Sequence, residues 1–335
     1  MTVTRLNGGI GTAPAKNPVE FKTTMAEIRL VTRTAIALIA CLTAGGAVAA
    51  AQAAKASLWT DPGPIAGRNL THGSGAADRA PKGPFTFLKQ DTGGTQPKIR
   101  VRDGSGREWD VKFGEEVHAE VAANRIVWAL GYVVEEVYFV ASGQVTGAGD
   151  AGRAKDHIAA NGAFTNARFR LRDDAAERAE ERWTFARNPF AGSKELSGLA
   201  ILMTLLNNWD IQGERNNRIL KIAGEERYIV SDLGATFGKM GQFPAPRSKW
   251  NLEDFQKEEF IEKVEDGAVD LDYEGYGGIN KVPLEHARWF AGLLSQLTDA
   301  QLRDAFAAAG ASAQLTDGFT ARLRAKIAEL QAAVK

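Results

Sequence analysis

The sequence predicts an α+β fold in two lobes, a β-rich N-terminal lobe with one main helix and a mostly helical C-terminal lobe. Three strand-like segments with alternating apolar residues precede the first long helical pattern. After residue 193 the apolar residues recur mainly at helical spacing, interrupted by one polar loop and a short hairpin. The chain has 335 residues, 44% of them apolar, which is enough for two lobes with cores.

The overall composition argues against several classes of function. Lys and Arg number 41 and Asp and Glu number 41, so no global field attracts nucleic acid or an anionic membrane. The single cysteine, Cys41, cannot form an internal disulfide, and the four scattered histidines form no zinc motif. Any phosphate binding must therefore come from a local site.

Residues 1–54 have the features of an export leader. Basic residues precede an apolar run at 34–42 and several A-x-A sites, and an alternative start at Met25 would make the pattern more conventional. The residues before Cys41 also fit a lipoprotein box, and an uncleaved leader would act as a membrane anchor. In all three alternatives the folded part is periplasmic, extracellular or anchored to a membrane and facing outward.

Composition divides the chain into five segments. They are the leader at 1–54, an irregular Gly/Pro-rich lead-in at 55–84, the N-terminal lobe at 85–140, a variable insert and connection at 141–192, and the helical C-terminal lobe at 193–335. The insert contains the charged run Asp173–Arg182, which is typical of a solvated helical face. The chain after Gly241 is predicted to be helical, with a capping box that begins at Thr298.

The N-terminal lobe is predicted to contain strands at 85–89, 98–102 and 108–113, and then a helix from about Glu115 to Leu130. A glycine turn joins the first two strands, and its backbone amides would suit phosphate oxygens. Most Gly-Gly pairs are plain hairpin turns, so both interpretations stay open. The candidate phosphate-binding residues of this turn are Thr92, Gly93, Gly94 and Thr95.

Lys112 lies among apolar neighbours near the end of the third predicted strand. Most strand lysines point to solvent, but a helix with two acidic residues follows this one at once. Glu120 can reach back to hold the lysine as an ion pair, and Glu116, one turn earlier, is the competing partner. The segment therefore supplies a candidate cation for donor phosphates.

A polar loop follows a buried helix of the C-terminal lobe and runs directly into an apolar strand. It contains Asp210 early and Asn216 and Asn217 late, and its alternative interpretation is an ordinary polar surface loop. A second apolar strand then delivers Asp232, followed by a hydrophobic residue and a glycine. Asp210 or Asp232 alone would be interpreted as an ordinary turn residue. Together they predict a candidate site, because a loop with Asp and Asn is followed by a short hairpin and then by Asp-Leu-Gly.

These segments resemble the protein-kinase-like superfamily, specifically the HipA-type kinases, the phosphatidylinositol 3/4-kinases and the secretory casein-type kinases. The resemblance covers about residues 85–300 and depends on sparse motifs. It implies a two-lobed kinase-like fold and the use of ATP with Mg²⁺ or Mn²⁺. It also implies that Lys112 contacts the nucleotide phosphates, Glu120 pairs with it, Asp210 is the catalytic base, Asn216 or Asn217 is a metal ligand, and Asp232 is the main metal ligand.

The sequence departs from the family pattern at three points. Five residues separate Asp210 from Asn216 and six separate it from Asn217, where the family has four. We prefer Asn217, because an apolar strand follows it as in the family. Two asparagines replace His-Arg before Asp210, and Leu233 replaces the Phe of Asp-Phe-Gly, as in atypical members.

Three functional hypotheses follow. The first is an exported kinase-like phosphotransferase that moves the ATP γ-phosphate to a hydroxyl of a protein, lipid or sugar. The second is a pseudokinase or nucleotide-free binding module of the cell envelope, favoured by the scarcity of ATP in the periplasm. The third is a structural lipoprotein. The joint presence of Lys112, Glu120, Asp210, Asn217 and Asp232 favours the first, since neighbouring carboxylates repel each other without a cation.

Overall fold

The computed structural model describes residues 55–173, 176–211, 216–241, 244, 246–275 and 279–335. The predicted leader, with the alternative start at Met25, the lipidation of Cys41 and the membrane anchor, lies outside these residues. Within the described ranges, no helix has both the length and the apolar character needed to span a bilayer.

The N-terminal lobe is a closed barrel of five strands. The first strands of the chain are β1 (Lys55–Ser57), which lies outside the barrel, β2 (Phe85–Asp91), β3 (Lys98–Arg102), β4 (Glu108–Lys112), β5 (Val137–Thr146) and β6 (Ala163–Leu171). The barrel strands follow one another in the spatial order β2-β3-β4-β6-β5, and all pairs are antiparallel except β2 and β5, which pair in parallel and close the barrel. Alternate apolar side chains such as Ile99, Val111 and Phe169 fill the barrel interior.

Helix α1 (Val117–Ala129) packs between the barrel and the C-terminal lobe and is buried along most of its length. It ends at Leu130, and Gly131 follows with a φ of 95°, a conformation that favours glycine. A Cβ at this glycine would lie 2.4 Å from the Thr60 carbonyl oxygen. The glycine therefore stops the helix and lets the lead-in segment approach it closely.

A four-stranded sheet connects the lobes in the order β1-β9-β8-β7. It contains β7 (Glu177–Arg178), β8 (Arg218–Ile222) and β9 (Glu225–Ile229), and β1 pairs in parallel with β9. The predicted helical face at Asp173–Arg182 is wrong at residues 177–178, which form β7. Backbone pairing with the open edge of β8 overrides the helical composition of this run.

The C-terminal lobe is mostly helical, as predicted. Its elements are α2 (Lys194–Leu205), α3 (Leu252–Lys257), β10 (Ile261–Glu265), β11 (Ala268–Leu271), β12 (Lys281–Pro283), α4 (Leu284–Leu294), α5 (Asp299–Ala308) and α6 (Ala313–Ala333). The predicted caps are confirmed, because the Ser193 hydroxyl accepts the Leu196 amide and Thr298 forms a capping box with Gln301.

The prediction of helix throughout the chain after Gly241 is wrong for β10, β11 and β12, which form an antiparallel sheet. The buried Val269 and Val282 lie on paired strands, where β-branched side chains pack well. The predicted fold class is nevertheless confirmed. The barrel has its own apolar core, and a second core extends from α1 through the helical lobe.

Candidate functional site

Three adjacent barrel strands present charged residues on one outer face. Successive side chains of a strand point to opposite faces, so residues between the barrel's apolar positions all point outward. The strand register pairs them as Lys98 with Lys112, Arg100 with Asp110, Asp110 with Arg170, and Lys112 with Arg168. The outer face of these three strands therefore carries adjacent charged side chains next to the C-terminal lobe.

Lys112 lies at the centre of this face and is only 5% exposed. Its Nζ is 2.7 Å from Glu120 Oε2, 3.0 Å from Glu116 Oε2 and 3.5 Å from Asp232 Oδ1. Both acidic partners considered from the sequence therefore contact the lysine. Burial alone would lower the pKa of Lys112, but Glu120 and the other two carboxylates raise it above its ordinary value.

Two further basic side chains contact Glu120 and Glu116. Glu120 Oε1 lies 3.0 Å from Arg168 Nε, and Glu116 Oε1 accepts a 2.6 Å hydrogen bond from Lys249 Nζ. Burial opposes ionisation of Glu120, but Arg168 and Lys112 lower its pKa to about 2. The Lys112 ion pair is therefore fixed from both sides before any ligand binds.

Asp232 follows β9 at the turn where the strand ends. Its φ of 57° lies in the left-handed region, which Asp occupies more readily than most residues. A Cβ at Gly234 would lie 2.6 Å from the Glu116 Cβ, so glycine is required for the close approach of this turn to the start of α1. The Asp232 side chain is 38% exposed, and its carboxylate points toward Lys112.

The loop after α2 holds Asp210 near Asp232. The backbone amide of Asp210 donates to Asn208 Oδ1 at 3.1 Å, which fixes the start of the loop. Burial, and then the negative charge of Asp232, raise the pKa of Asp210 to about 6. The two carboxylates are close enough to repel each other and would attract a cation.

The two asparagines have different surroundings. Asn217 is fully buried, its Nδ2 donates to the Ile211 carbonyl at 2.9 Å, and its Oδ1 accepts the Ser231 amide at 3.3 Å. Asn216 is partly exposed at the end of the same loop, and its Nδ2 donates to the Asp210 carbonyl at 2.6 Å. The sequence-based preference for Asn217 as a metal ligand therefore conflicts with its contacts, because both ends of its amide are engaged in the protein.

The charged face borders a cavity of about 400 Å³, which we call the charged cavity. Of the residues predicted from sequence, its lining contains Gly93, Gly94, Lys112, Glu120, Asn216 and Asp232. The lining does not include Thr92, Thr95, Asp210 or Asn217. The glycine turn has another structural partner, because Arg153 donates to the carbonyls of Thr92, Gly94 and Thr95.

The residues present fit Mg²⁺ or Mn²⁺ bound together with a phosphate ligand. Asp232, Asp210 and the Asn216 amide are oxygen donors of the kind these hard cations prefer, and the mutual repulsion of the carboxylates favours a cation. Within the described ranges no group of three or more His, Cys, Asp or Glu forms a metal site. Phosphate oxygens and water would therefore complete the coordination, as they usually do for Mg²⁺.

Sequence reasoning missed most of the cations of the charged cavity. The missed members are Lys98, Arg100, Arg168, Arg170, Arg178, Arg182 and Arg218. Five of them lie on barrel strands or on β8. In the barrel strands that carry these residues a charged residue stands at every second position, and this alternation could have predicted that these side chains share one face. Arg178 and Arg182 gave no such signal, since they belong to the run that resembles a solvated helix.

No family model matches the sequence, and no curated protein matches it. The proinflammatory kinase CtkA of Helicobacter pylori aligns at 13% identity with a TM-score of 0.45, over 76% of this chain and 98% of its own. The Golgi casein kinase aligns at 11% identity over 97% of this chain and 93% of its own, with a TM-score of 0.44. Its structure with Mn and ADP bound aligns over the same shares with a TM-score of 0.43. TM-scores this low carry no argument, so the interpretation of the site depends on its own contacts.

Proposed function

We propose that this chain is a metal-dependent phosphotransferase of the protein-kinase-like class. The observation that carries the proposal is the buried Lys112–Glu120 ion pair, which lies 3.5 Å from Asp232 and borders the charged cavity. A fixed lysine beside a carboxylate that can hold a divalent cation is the arrangement that phosphoryl transfer requires. By resemblance the donor is ATP with Mg²⁺ or Mn²⁺.

Each residue has a role that follows from its surroundings. Lys112 keeps its positive charge and would bind donor phosphates, while Glu120 and Arg168 hold it in place. Asp232 and Asn216 would hold the metal, whose charge would offset the negative charge of the transferred group. Asp210, with a pKa of about 6, is ionised at neutral pH and would accept the proton of the attacking hydroxyl.

The acceptor is proposed to be a hydroxyl of a protein, lipid or sugar, and the leader pattern supports activity outside the cytoplasm. A pseudokinase is the second candidate. Its support is the short set of metal ligands, since no described group of three or more acidic or histidine side chains forms a metal site. A site of this kind would bind phosphate without transferring it.

Thermal shift with ATP and Mn²⁺ tests binding, and release of labelled phosphate from γ-³²P ATP tests turnover. We expect wild type to be stabilised by ATP with Mn²⁺ and to release phosphate, and Asp232→Asn to lose both. Asp266→Asn is a matched control, because exposed Asp266 also has a positive φ, of 51°, and lies outside the charged cavity.

The control should retain the wild-type response, since Asn tolerates the left-handed conformation about as well as Asp. An equal loss in both variants would assign the effect to backbone strain and contradict the proposed metal role. Binding in wild type without phosphate release or autophosphorylation would favour the pseudokinase.

A further inference from the structure

No aliphatic or aromatic residue is among the described residues that line the charged cavity. Eight lysine or arginine side chains and four carboxylates line it, and its other described lining residues are two glycines, Asn216 and Ser231. Sites for flat aromatic groups are lined mainly by apolar and aromatic side chains, on which the ring can stack. The described lining therefore suits a small polyanion and lacks an apolar or aromatic platform for a base.

A buried network of ion pairs closes one side of the charged cavity. Arg170 donates to Asp110 at 2.8 Å and to Glu135 at 3.0 Å, and Arg218 donates to Glu135 at 2.9 Å. Burial opposes ionisation of Asp110, but Arg170 and the neighbouring arginines keep its pKa well below the ordinary value. A base could not enter this region without separating these buried ion pairs, which is unfavourable because it leaves buried charges uncompensated.

A second cavity, of about 510 Å³, lies beyond this network and does include aliphatic residues such as Val133, Leu220 and Ile229. Among the described lining residues it shares only Arg178 with the charged cavity. Glu135 lines the second cavity, and Asp110 lines the charged one. The aliphatic residues of this second cavity are thus separated from Lys112 and Asp232 by the ion pairs of Asp110 and Glu135. Val137, Val230 and Leu233 lie closer to Asp232, but the space that they line is only about 10 Å³, too small for a base.

Two cations of the charged cavity have no ion-pair partner among the described residues. Lys98 forms no salt bridge there, and burial together with Lys112, Arg168 and Arg170 lowers its pKa even though Asp91 is near. Arg182 has a buried Nη1 without a hydrogen-bond partner in the described chain. Buried donors of this kind are costly unless a ligand satisfies them. Both side chains therefore point to an anionic ligand.

We infer that the charged cavity recognises the phosphate chain of the donor and not its base, so that a base-free inorganic phosphate chain also serves as donor. The inference rests on the proposed function and names its substrate class. In the transfer the acceptor oxygen bonds to the terminal phosphorus, and the bridging P–O bond breaks. The chain leaves one phosphate shorter, and the hydroxyl proton passes to Asp210.

Isothermal titration in Mg²⁺ with inorganic tripolyphosphate, ATP, GTP and UTP tests this inference on the purified protein. We expect all four dissociation constants to agree within about threefold, a difference of less than 1 kcal/mol. With water as the acceptor in the absence of another hydroxyl, labelled phosphate should be released from terminally labelled tripolyphosphate as well as from ATP. Binding of ATP tenfold or more tightly than tripolyphosphate would overturn the inference and leave the proposed function intact.

Two other outcomes separate the two claims. Equal binding of all four ligands without release of phosphate from any would support phosphate-chain recognition and contradict the proposed transferase. The absence of binding by any ligand would overturn both claims.

A matched pair of lysine variants locates the binding. Lys98→Gln should weaken tripolyphosphate and ATP by the same factor, about tenfold, because it removes a cation that both ligands would contact. Lys89→Gln changes an exposed lysine of β2 outside the charged cavity and should leave both constants within about twofold. Equal effects of the two variants, or an effect of Lys98→Gln on ATP alone, would contradict the inference.

Discussion

Lys112 and Lys326 are both buried lysines, 5% and 0% exposed, but their surroundings give them opposite properties. Lys112 contacts three carboxylates within 3.5 Å, and its pKa is raised. Lys326 donates to Asn207 Oδ1 at 2.6 Å and lies 4.8 Å from the Phe255 ring centroid, with no described carboxylate in salt-bridge range. Burial and Arg322 lower the pKa of Lys326 to about 7.

The difference separates a lysine that keeps its charge from one that acts as a structural tether. Lys112 keeps its charge because its interaction with three carboxylates offsets the free-energy cost of removing the ammonium group from water. It also borders the charged cavity. Lys326 holds Asn207, which also donates to the Gly238 carbonyl at 2.8 Å and so links the Asp210 loop to the turn after Asp232. Burial alone therefore does not decide whether a lysine keeps its charge, and the carboxylates in contact with it do.

Exchange of each lysine for methionine gives the largest expected contrast. Lys112→Met should lower phosphate release by about 10³-fold, as expected when a group that stabilises developing charge is removed. Lys326→Met should lower it by no more than about tenfold. The Lys112 variant should still fold, because Glu120 keeps Arg168 and Glu116 keeps Lys249. Release assays with circular dichroism measure both effects, and equal activity of the two variants would contradict the assignment.

The two asparagines give the next contrast. Asn216→Ala should weaken Mn²⁺ binding about tenfold with little loss of stability, since it removes a ligand on the charged cavity. Asn217→Ala should cost about 2–3 kcal/mol of unfolding free energy, because it leaves the buried Ile211 carbonyl and Ser231 amide unpaired. Mn²⁺ titration and urea unfolding separate the effects, and the reverse pattern would restore Asn217 as the ligand.

The pH dependence of stability tests the state of Lys326. Its pKa is about 7 in the folded protein and about 10.4 in the unfolded chain, so the unfolded chain binds more protons between these values. Stability should therefore rise by about 2 kcal/mol from pH 7 to pH 9 in wild type. The rise should be absent in Lys326→Met. Urea unfolding at the two pH values measures it, and equal slopes in both proteins would mean that the lysine stays charged.

The smallest expected effect concerns Asp210 without metal. Its pKa of about 6 exceeds the unfolded value near 3.9, so the folded protein binds the extra proton between these values. Stability from this group is present at pH 4 and lost as the pH rises through 6, by about 1 kcal/mol after allowance for solvent screening. Asp210→Asn should remove this loss in chelator-treated protein, and an unchanged pH profile would show that burial and Asp232 do not raise the pKa of Asp210.

The sequence predicted the order of the elements well, because strand alternation, helix spacing and caps are local signals. The Ser193 cap, the Thr298 capping box and the three barrel strands 85–89, 98–102 and 108–113 are all present. The strands β7 and β10–β12 could not be predicted in the same way. They exist because neighbouring strands offer backbone partners, and that pairing is set by the tertiary fold.

The candidate site was predictable in its order but not in its details. Lys112, Glu120 and Asp232 come together as expected, since each lies where an element meets a turn. The sequence could not decide between Asn216 and Asn217. The two residues are adjacent, and only the structure shows that Asn217 is buried while Asn216 lines the charged cavity. It also missed the second pairing of Glu116 with Lys249, whose residues are far apart along the chain.

The most direct test of the central claim is ³¹P NMR of ATP or tripolyphosphate incubated with Mg²⁺ and either wild type or Lys112→Met. We expect wild type to consume the terminal phosphate of both donors and Lys112→Met to leave both intact over the same time. Consumption at equal rates by the two proteins, or by neither, would contradict a phosphotransfer site built on Lys112 and Asp232.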